Sequence, residues 1–418
     1  MKFAEWKNWL NELPWILRWF PLLVLIRPIL DSFYNLKEVS PFLSPLYIVG
    51  ILTPIFCAAA LLRFRKVKLD TTIDRLFKLW SWIAIISAFS VCIYDGFSLE
   101  FFRFFLKLTI PVFLYFFCRV FIESERDLIG ILQTFIYSSI FVIGTFLFEI
   151  LINPIRLEQS RGVERIQGLF GDVLNYSFYL TFCLVITGYF SLKSSKKKSF
   201  VYKNKLVIFA LIMGALVLPK INHAASYIIF GFILIILLFF NSKTNKISTI
   251  GAVLFGIVAA ALFGTEFISD SFERVISVDM QVYAGEKSAE RLFHGRIGRW
   301  KWMIEEFTSL PIYAQLFGMP LNFQYAYHFI GSGSHNDFIR IMCFSGYVGI
   351  ILYMSFLSSI YARIKYYSLA CQFLIMATLF TLCLYSVTVN PTFYAPILYI
   401  TLSVFAFCSI KIQNNDKA

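Results

Sequence analysis

Apolar runs of about 20 residues, the length that spans a bilayer core, recur along the whole chain. They fall at positions 14–30, 43–62, 76–94, 102–121, 128–152, 173–192, 206–218, 224–240, 247–263, 338–360, 369–389 and 393–410. Inside lipid only a helix or a closed barrel satisfies its own backbone. A barrel would show short alternating segments in place of long runs. The pattern therefore predicts an all-α polytopic membrane protein with about twelve transmembrane helices. Composition agrees, since 15% of residues are charged against about 25% in soluble domains. Arg18 and Arg27 interrupt the first run, and the seventh is short. Pro21, Pro28, Pro54 and Pro111 fall in or near spans, where neighbouring helices can accommodate them. Residues 1–18 read as amphipathic, without the small-residue cleavage site of a signal peptide.

The formal charge of +13 invites a nucleic-acid reading, but the placement of the cations excludes it. They concentrate in short loops: Arg63 to Lys68, Arg119 with Arg126, Lys193 to Lys198, Lys243 with Lys246, Arg363 with Lys365, and Lys411 with Lys417 in the tail. With a cytoplasmic N-terminus all of these loops face the cytoplasm, as the positive-inside bias requires. Both termini are then cytoplasmic. The eight cysteines stand singly, almost all within apolar runs, with no metal or redox spacing. They read as small core residues.

One polar stretch interrupts the series. Roughly 75 residues separate the ninth run from the tenth, too long for a simple connection, and this topology puts them outside the membrane. We expect a bundle at 1–265, a partly helical extracytoplasmic loop at 266–340 carrying the functional site, and C-terminal spans at 341–418. Trp300, Trp302, Phe307, Phe323 and Tyr327 argue that the loop is folded, with an amphipathic helix ending near Phe307. His294, His328 and His335 lie in it.

Outer segments should be poor in Lys and Arg, yet three are not. They hold Arg156, Arg161 and Arg165; Lys220 beside His223; and Arg291, Arg296, Arg299 and Lys301. An anion bound at the outer surface would account for them. Ordinary pairing with Glu286, Glu290, Glu305 and Glu306 is the alternative. His335 sits in a Gly-Ser-rich turn before a long helix, with Ser334 or Asn336 as N-cap. A helix N-terminus favours neutral imidazole, the form that accepts a proton. The plainer reading is that His335 caps the helix or bonds a loop carbonyl. The loop histidines are too widely spaced for a zinc set, and no metal or cofactor is expected. Arg27 and Asp31, four apart near a helix end, read as a structural pair.

Gly295-Arg296-x-x-x-Trp300, a Pro311–Gly318 stretch, His335-Asn336 and a following span with Gly346 and Gly349 resemble the O-antigen ligase / O-antigen polymerase superfamily. Arg165-x-x-Gly168 before the sixth span is similar to a further segment of that family. The resemblance implies a metal-independent glycosyltransferase of the bacterial cytoplasmic membrane. Such enzymes take a glycan from undecaprenyl pyrophosphate at the outer face, polymerising O-antigen, capsule or exopolysaccharide repeats or, as ligases, passing the glycan to lipid A-core. It implies functional roles for His335 and for Arg296 or Arg299, with Arg165 a further basic contact. Lys220, His223, Arg291 and Asn336 join them as substrate-binding candidates. Where the family has a Ser-Arg-Gly-like motif, this chain reads Lys220-Ile221-Asn222-His223-Ala224-Ala225-Ser226, which offers no guanidinium fork. Partners would be the lipid-linked oligosaccharide, membrane lipids and other polysaccharide-assembly proteins. A lipid-oligosaccharide or anion transporter is the rival reading, though no duplicated halves are evident.

Overall fold

A computed structural model describes residues 3–34, 36, 40, 44–64, 70–94, 99–152, 157–160, 163–170, 173–194, 200–221, 223–242, 281–282, 284–286, 288, 292–322 and 334–410. The helices are α1 Phe3–Glu12, α2 Trp15–Ser32, α3 Pro45–Arg63, α4 Thr72–Tyr94, α5 Leu99–Phe121, α6 Glu125–Leu151, α7 Leu174–Lys193, α8 Phe200–Ile221 and α9 Ala224–Ser242. They continue as α10 Leu292–Ser309, α11 Ile312–Phe317, α12 Asp337–Arg363, α13 Leu369–Thr388 and α14 Ala395–Cys408. Every expected span coincides with a helix except the ninth, 247–263, which lies outside the described residues.

Four of the described helices are long and apolar enough to cross a membrane: α3, α6, α12 with the short turn that follows it, and α13. Segments Ala225–Asn241 and Ala395–Cys408 are apolar but shorter. The surface of the first fits the same solvent, whereas the second is buried in the protein. Ile228 and Ile235, seven residues apart on α9, are 65% and 63% exposed, the reverse of a helix that turns its polar face to water. These helices mark a membrane protein.

The chain packs as two compact units, each drawn from separate segments. The first comprises Met1–Val49, Ile129–Ser277 and Tyr367–Thr381. Its centre is α7, buried along nearly its whole length between α8 and α9. Gly188 lets α7 approach Phe373 of α13, where a Cβ would lie 2.7 Å from the ring. Amphipathic α1 turns Trp6, Trp9 and Leu10 inward, and Trp6 Nε1 donates to Thr134 Oγ1 at 2.9 Å. The expected Arg27–Asp31 pair is present at 2.8 Å.

A hairpin that the apolar runs do not foreshadow follows α6. Strand β1 (Leu157–Ser160) pairs antiparallel with β2 (Val163–Ile166), placing Leu157 opposite Ile166 and Glu158 opposite Arg165. Strand β2 packs on α8, the helix whose last turn carries Lys220.

The second unit comprises Gly50–Leu128, Val278–Tyr366 and Leu382–Ala418. Here α4 lies along α12 and α5, and α5 along α14. Phe77 of α4 meets Phe356 of α12 at 4.9 Å between ring centres. At the start of α4, Asp74 is almost fully buried. Arg119 Nε and Tyr115 OH donate to its Oδ1 at 2.7 and 2.9 Å, and Thr71 Oγ1 donates to its Oδ2 at 2.7 Å. Saturation of this kind is what makes a buried ion pair tolerable. Cys57, Cys118, Cys183, Cys343, Cys371 and Cys408 are buried free thiols, and Cys383 is a half-buried one.

Helix α12 breaks at Gly346, whose φ of 70° is non-helical. The break seats α11. A Cβ on Gly346 would lie 2.3 Å from the Leu316 carbonyl carbon, and one on Gly318 would lie 2.2 Å from the Phe344 oxygen. Backbone meets backbone here, and glycine is required on both sides.

Candidate functional site

His335 is the one non-glycine residue with positive φ among the described residues, at 47°. That left-handed conformation is costly for an L side chain with a Cβ and occurs mainly where function demands it. Its side chain is exposed while Ser334, Asn336 and Asp337 around it are buried. The neighbours explain how the strain is held.

Asn336 is the N-cap of α12. Its Oδ1 accepts from Phe338 N at 3.0 Å and Ile339 N at 3.1 Å, satisfying donors that have no intrahelical partner. Ser334 Oγ lies 3.0 Å from the Asn336 carbonyl and 3.1 Å from Asn390 Oδ1. One step below, Asp337 is fully buried. Its Oδ1 accepts from Arg340 Nε at 2.6 Å and from Thr392 Oγ1 at 3.0 Å, and its Oδ2 accepts from Thr392 N at 3.2 Å. Arg340 Nη2 also donates to Thr392 Oγ1. Both Asp337 oxygens are therefore committed to architecture. The result is a rigid platform with a histidine on top.

Helix α10 is tied to the same turn, because Trp300 Nε1 donates to the Ser334 carbonyl at 2.8 Å. Met303 and Phe307 are buried below Trp300, and Phe307 meets Tyr347 edge-on at 5.1 Å. Arg296 precedes Trp300 by one turn and so shares this inward stripe. It is half-buried, whereas Arg299 beside it is exposed. The Pro311–Gly318 stretch reaches the site indirectly, by docking on the Gly346 break. Arg291, His328, Arg156 and Arg161 lie outside the described residues.

The remaining candidates belong to the first unit. Arg165 on β2 is half-buried, and its Nε is buried without a hydrogen-bond partner among the described residues. A buried donor left unmatched by protein is unusual and fits a group that awaits an anionic ligand. Three residues on, Gly168 has φ 69°. A Cβ there would lie 2.3 Å from Tyr176 OH and 2.5 Å from Glu149 Oε1. Tyr176 OH donates to Glu149 Oε1 at 2.7 Å, and Glu149 is fully buried. The segment from Arg165 to Gly168 is thus pinned to a tyrosine–glutamate pair.

Lys220 is exposed in the last turn of α8. His223 is half-buried, its Nδ1 2.7 Å from Ser226 Oγ. Ser177 Oγ in turn donates to Ser226 Oγ at 2.5 Å. This relay from α9 into α7 orients the imidazole.

Sequence reasoning passed over Asp337–Arg340–Thr392, Glu149–Tyr176 and Ser226–Ser177. Two signals were available: Arg340 and Glu149 are charges inside apolar runs, where a charge is costly and marks a site. No family model matches the chain, and no curated protein matches it.

Proposed function

We propose that the chain is a polytopic glycosyltransferase of the bacterial cytoplasmic membrane. In this reading it has about twelve transmembrane helices, cytoplasmic termini and its site at the outer face. It transfers a glycan from an undecaprenyl-pyrophosphate-linked donor, most simply to polymerise repeat units of a surface polysaccharide. The observation that carries the reading is His335, exposed in a left-handed backbone conformation on a buried, hydrogen-bonded platform tied by Trp300 to the helix of Arg296 and Arg299.

In the transfer, the acceptor hydroxyl oxygen forms a bond to the anomeric carbon while the bond to the pyrophosphate oxygen breaks. The hydroxyl proton passes to neutral His335. Charge builds on the leaving pyrophosphate, so fixed guanidinium groups assist the transition state more than the ground state. Arg296 and Arg299 supply them from α10. Arg291 and Asn336, of the same unit as His335, are proposed to contact the lipid-linked substrate, and within the first unit Arg165, Lys220 and His223 form a second set of basic groups suited to an anionic ligand.

The test is a transfer assay on the purified, reconstituted chain with the organism's own lipid-linked repeat unit. Longer lipid-linked glycan from wild type, absent with His335→Ala at equal membrane insertion, supports polymerisation with His335 as the base. Product only on addition of lipid A-core assigns a ligase. No product with either acceptor, together with flux of the lipid-linked oligosaccharide across the vesicle membrane, replaces the enzyme with a transporter.

A further inference from the structure

At the opposite end of α4 from His335, the second unit contains a cleft of about 460 Å³ between α3, α4 and α5. On α4 it is lined by Lys78, Trp82 and Ile85, and across from them by Phe64, Phe113 and Phe116. Spacings of four and three residues put the α4 positions on one face. The lining runs seven residues along α4, or about 10 Å at the helical rise, so the cleft extends along the helices rather than across them. Its walls are apolar except at Lys78 and at Ser81, whose hydroxyl donates to the Phe77 carbonyl.

Lys78 makes no hydrogen bond or ion pair among the described residues. The acid one turn away, Asp74, is buried and committed to Arg119, Tyr115 and Thr71. It therefore leaves the lysine's charge unneutralised. Arg63, exposed beside Phe64 at the end of α3, adds a second cation at this rim. Lys78 stands two turns inside the start of α4, shallow enough for its ammonium to reach the interface while its stem lies on the apolar wall. An elongated apolar cleft with a cation at its mouth matches one kind of molecule: a long hydrocarbon chain attached to an anionic head.

We propose that this cleft binds an anionic phospholipid, with one acyl chain between α4 and α5 and the headgroup phosphate on Lys78. The described basic helix ends Arg63, Arg119, Arg363 and Lys365 lie toward this end of the unit, which under the positive-inside bias assigns the lipid to the cytoplasmic leaflet, away from the donor of the proposed transfer. The inference rests on the membrane reading of the helices and is independent of glycosyl transfer.

The test reads occupancy without turnover. The full chain is reconstituted in phosphatidylcholine vesicles doped with phosphatidylglycerol brominated on its chains, and the Trp82 contribution is isolated as wild type minus Trp82→Phe. Trp82 is exposed on the cleft, so bromine in the cleft quenches it. Quenching several-fold stronger than with the same fraction of brominated phosphatidylcholine is expected. Lys78→Gln should remove that preference and Lys78→Arg should keep it, while inorganic phosphate should leave it unchanged. Equal quenching by both lipids, or an undiminished preference in Lys78→Gln, overturns the proposal. Loss of the preference on adding inorganic phosphate also overturns it, because the head alone would then be recognised.

Discussion

The turn at His335 and the segment from Arg165 to Gly168 both join a left-handed backbone position to a basic side chain, yet their polar groups are arranged in opposite ways. Around His335 most polar groups are paired with one another, Arg340 Nη1 standing outside these bonds: Asn336 with the helix start, Asp337 with Arg340 and Thr392, Trp300 with Ser334. Around Arg165 the fit comes from packing, with Gly168 pressed on Tyr176 and Glu149, while the arginine Nε stays without a partner among the described residues. The first arrangement fixes the backbone that carries an exposed imidazole, which suits the base of the proposed transfer. The second leaves a donor open, which suits the proposed contact with an anionic ligand.

The contrast can be broken most forcefully at Asp337. Asp337→Ala leaves Arg340 buried without its carboxylate, and loss of one partner from a buried pair costs about 3–5 kcal/mol. Thermal unfolding of the detergent-purified protein should show it. The double variant Asp337→Leu with Arg340→Met should recover most of the stability but not the turn. If the single variant unfolds like wild type, the platform is not what holds His335.

Gly168→Ala comes next. The new methyl group meets Tyr176 and Glu149 at a positive φ, which costs about 1–3 kcal/mol in the same unfolding measurement. His335→Gly should move the other way and stabilise the protein by about 1 kcal/mol, since glycine accepts the left-handed conformation, while glycan transfer is lost. Stability gained with activity lost is the mark of strain kept for function; a destabilised His335→Gly would remove that interpretation. Arg165→Ala should have the smallest effect on folding, within about 0.5 kcal/mol, because no described hydrogen bond of its Nε is removed. Its effect should fall on the KM for the lipid-linked donor, read in the reconstituted assay.

The helices under eleven of the apolar runs, the Asn336 cap, the Arg27–Asp31 pair and the helix through Trp300 were legible in the sequence because each depends on neighbours within a few positions. Hydropathy and capping are one-dimensional signals. The platform was not legible, because Asp337 finds Thr392 only after the intervening helices have packed. The same holds for Glu149 and Tyr176, which meet across two helices. The hairpin at 157–166 was missed for another reason: its strands are four residues each, too short for alternation to stand out beside long apolar runs. Arg340 and Glu149 announced that something polar lay within a span, but not which residue would answer them.

The break at Gly346 has a mechanical consequence. A continuous helix transmits rotation and sliding along its axis, so any adjustment of its lower part to a thicker or thinner bilayer would swing whatever it carries at its tip. In α12 the residues before Gly346 form a stub of about 13 Å at the helical rise, anchored to Trp300, Asn390 and Thr392. Beyond the break the helix packs on α4 and α14, and the backbone of α11 fills the break itself. Gly346 thus lets the stub that carries His335 take a direction of its own, braced by α11 rather than by the continuing helix.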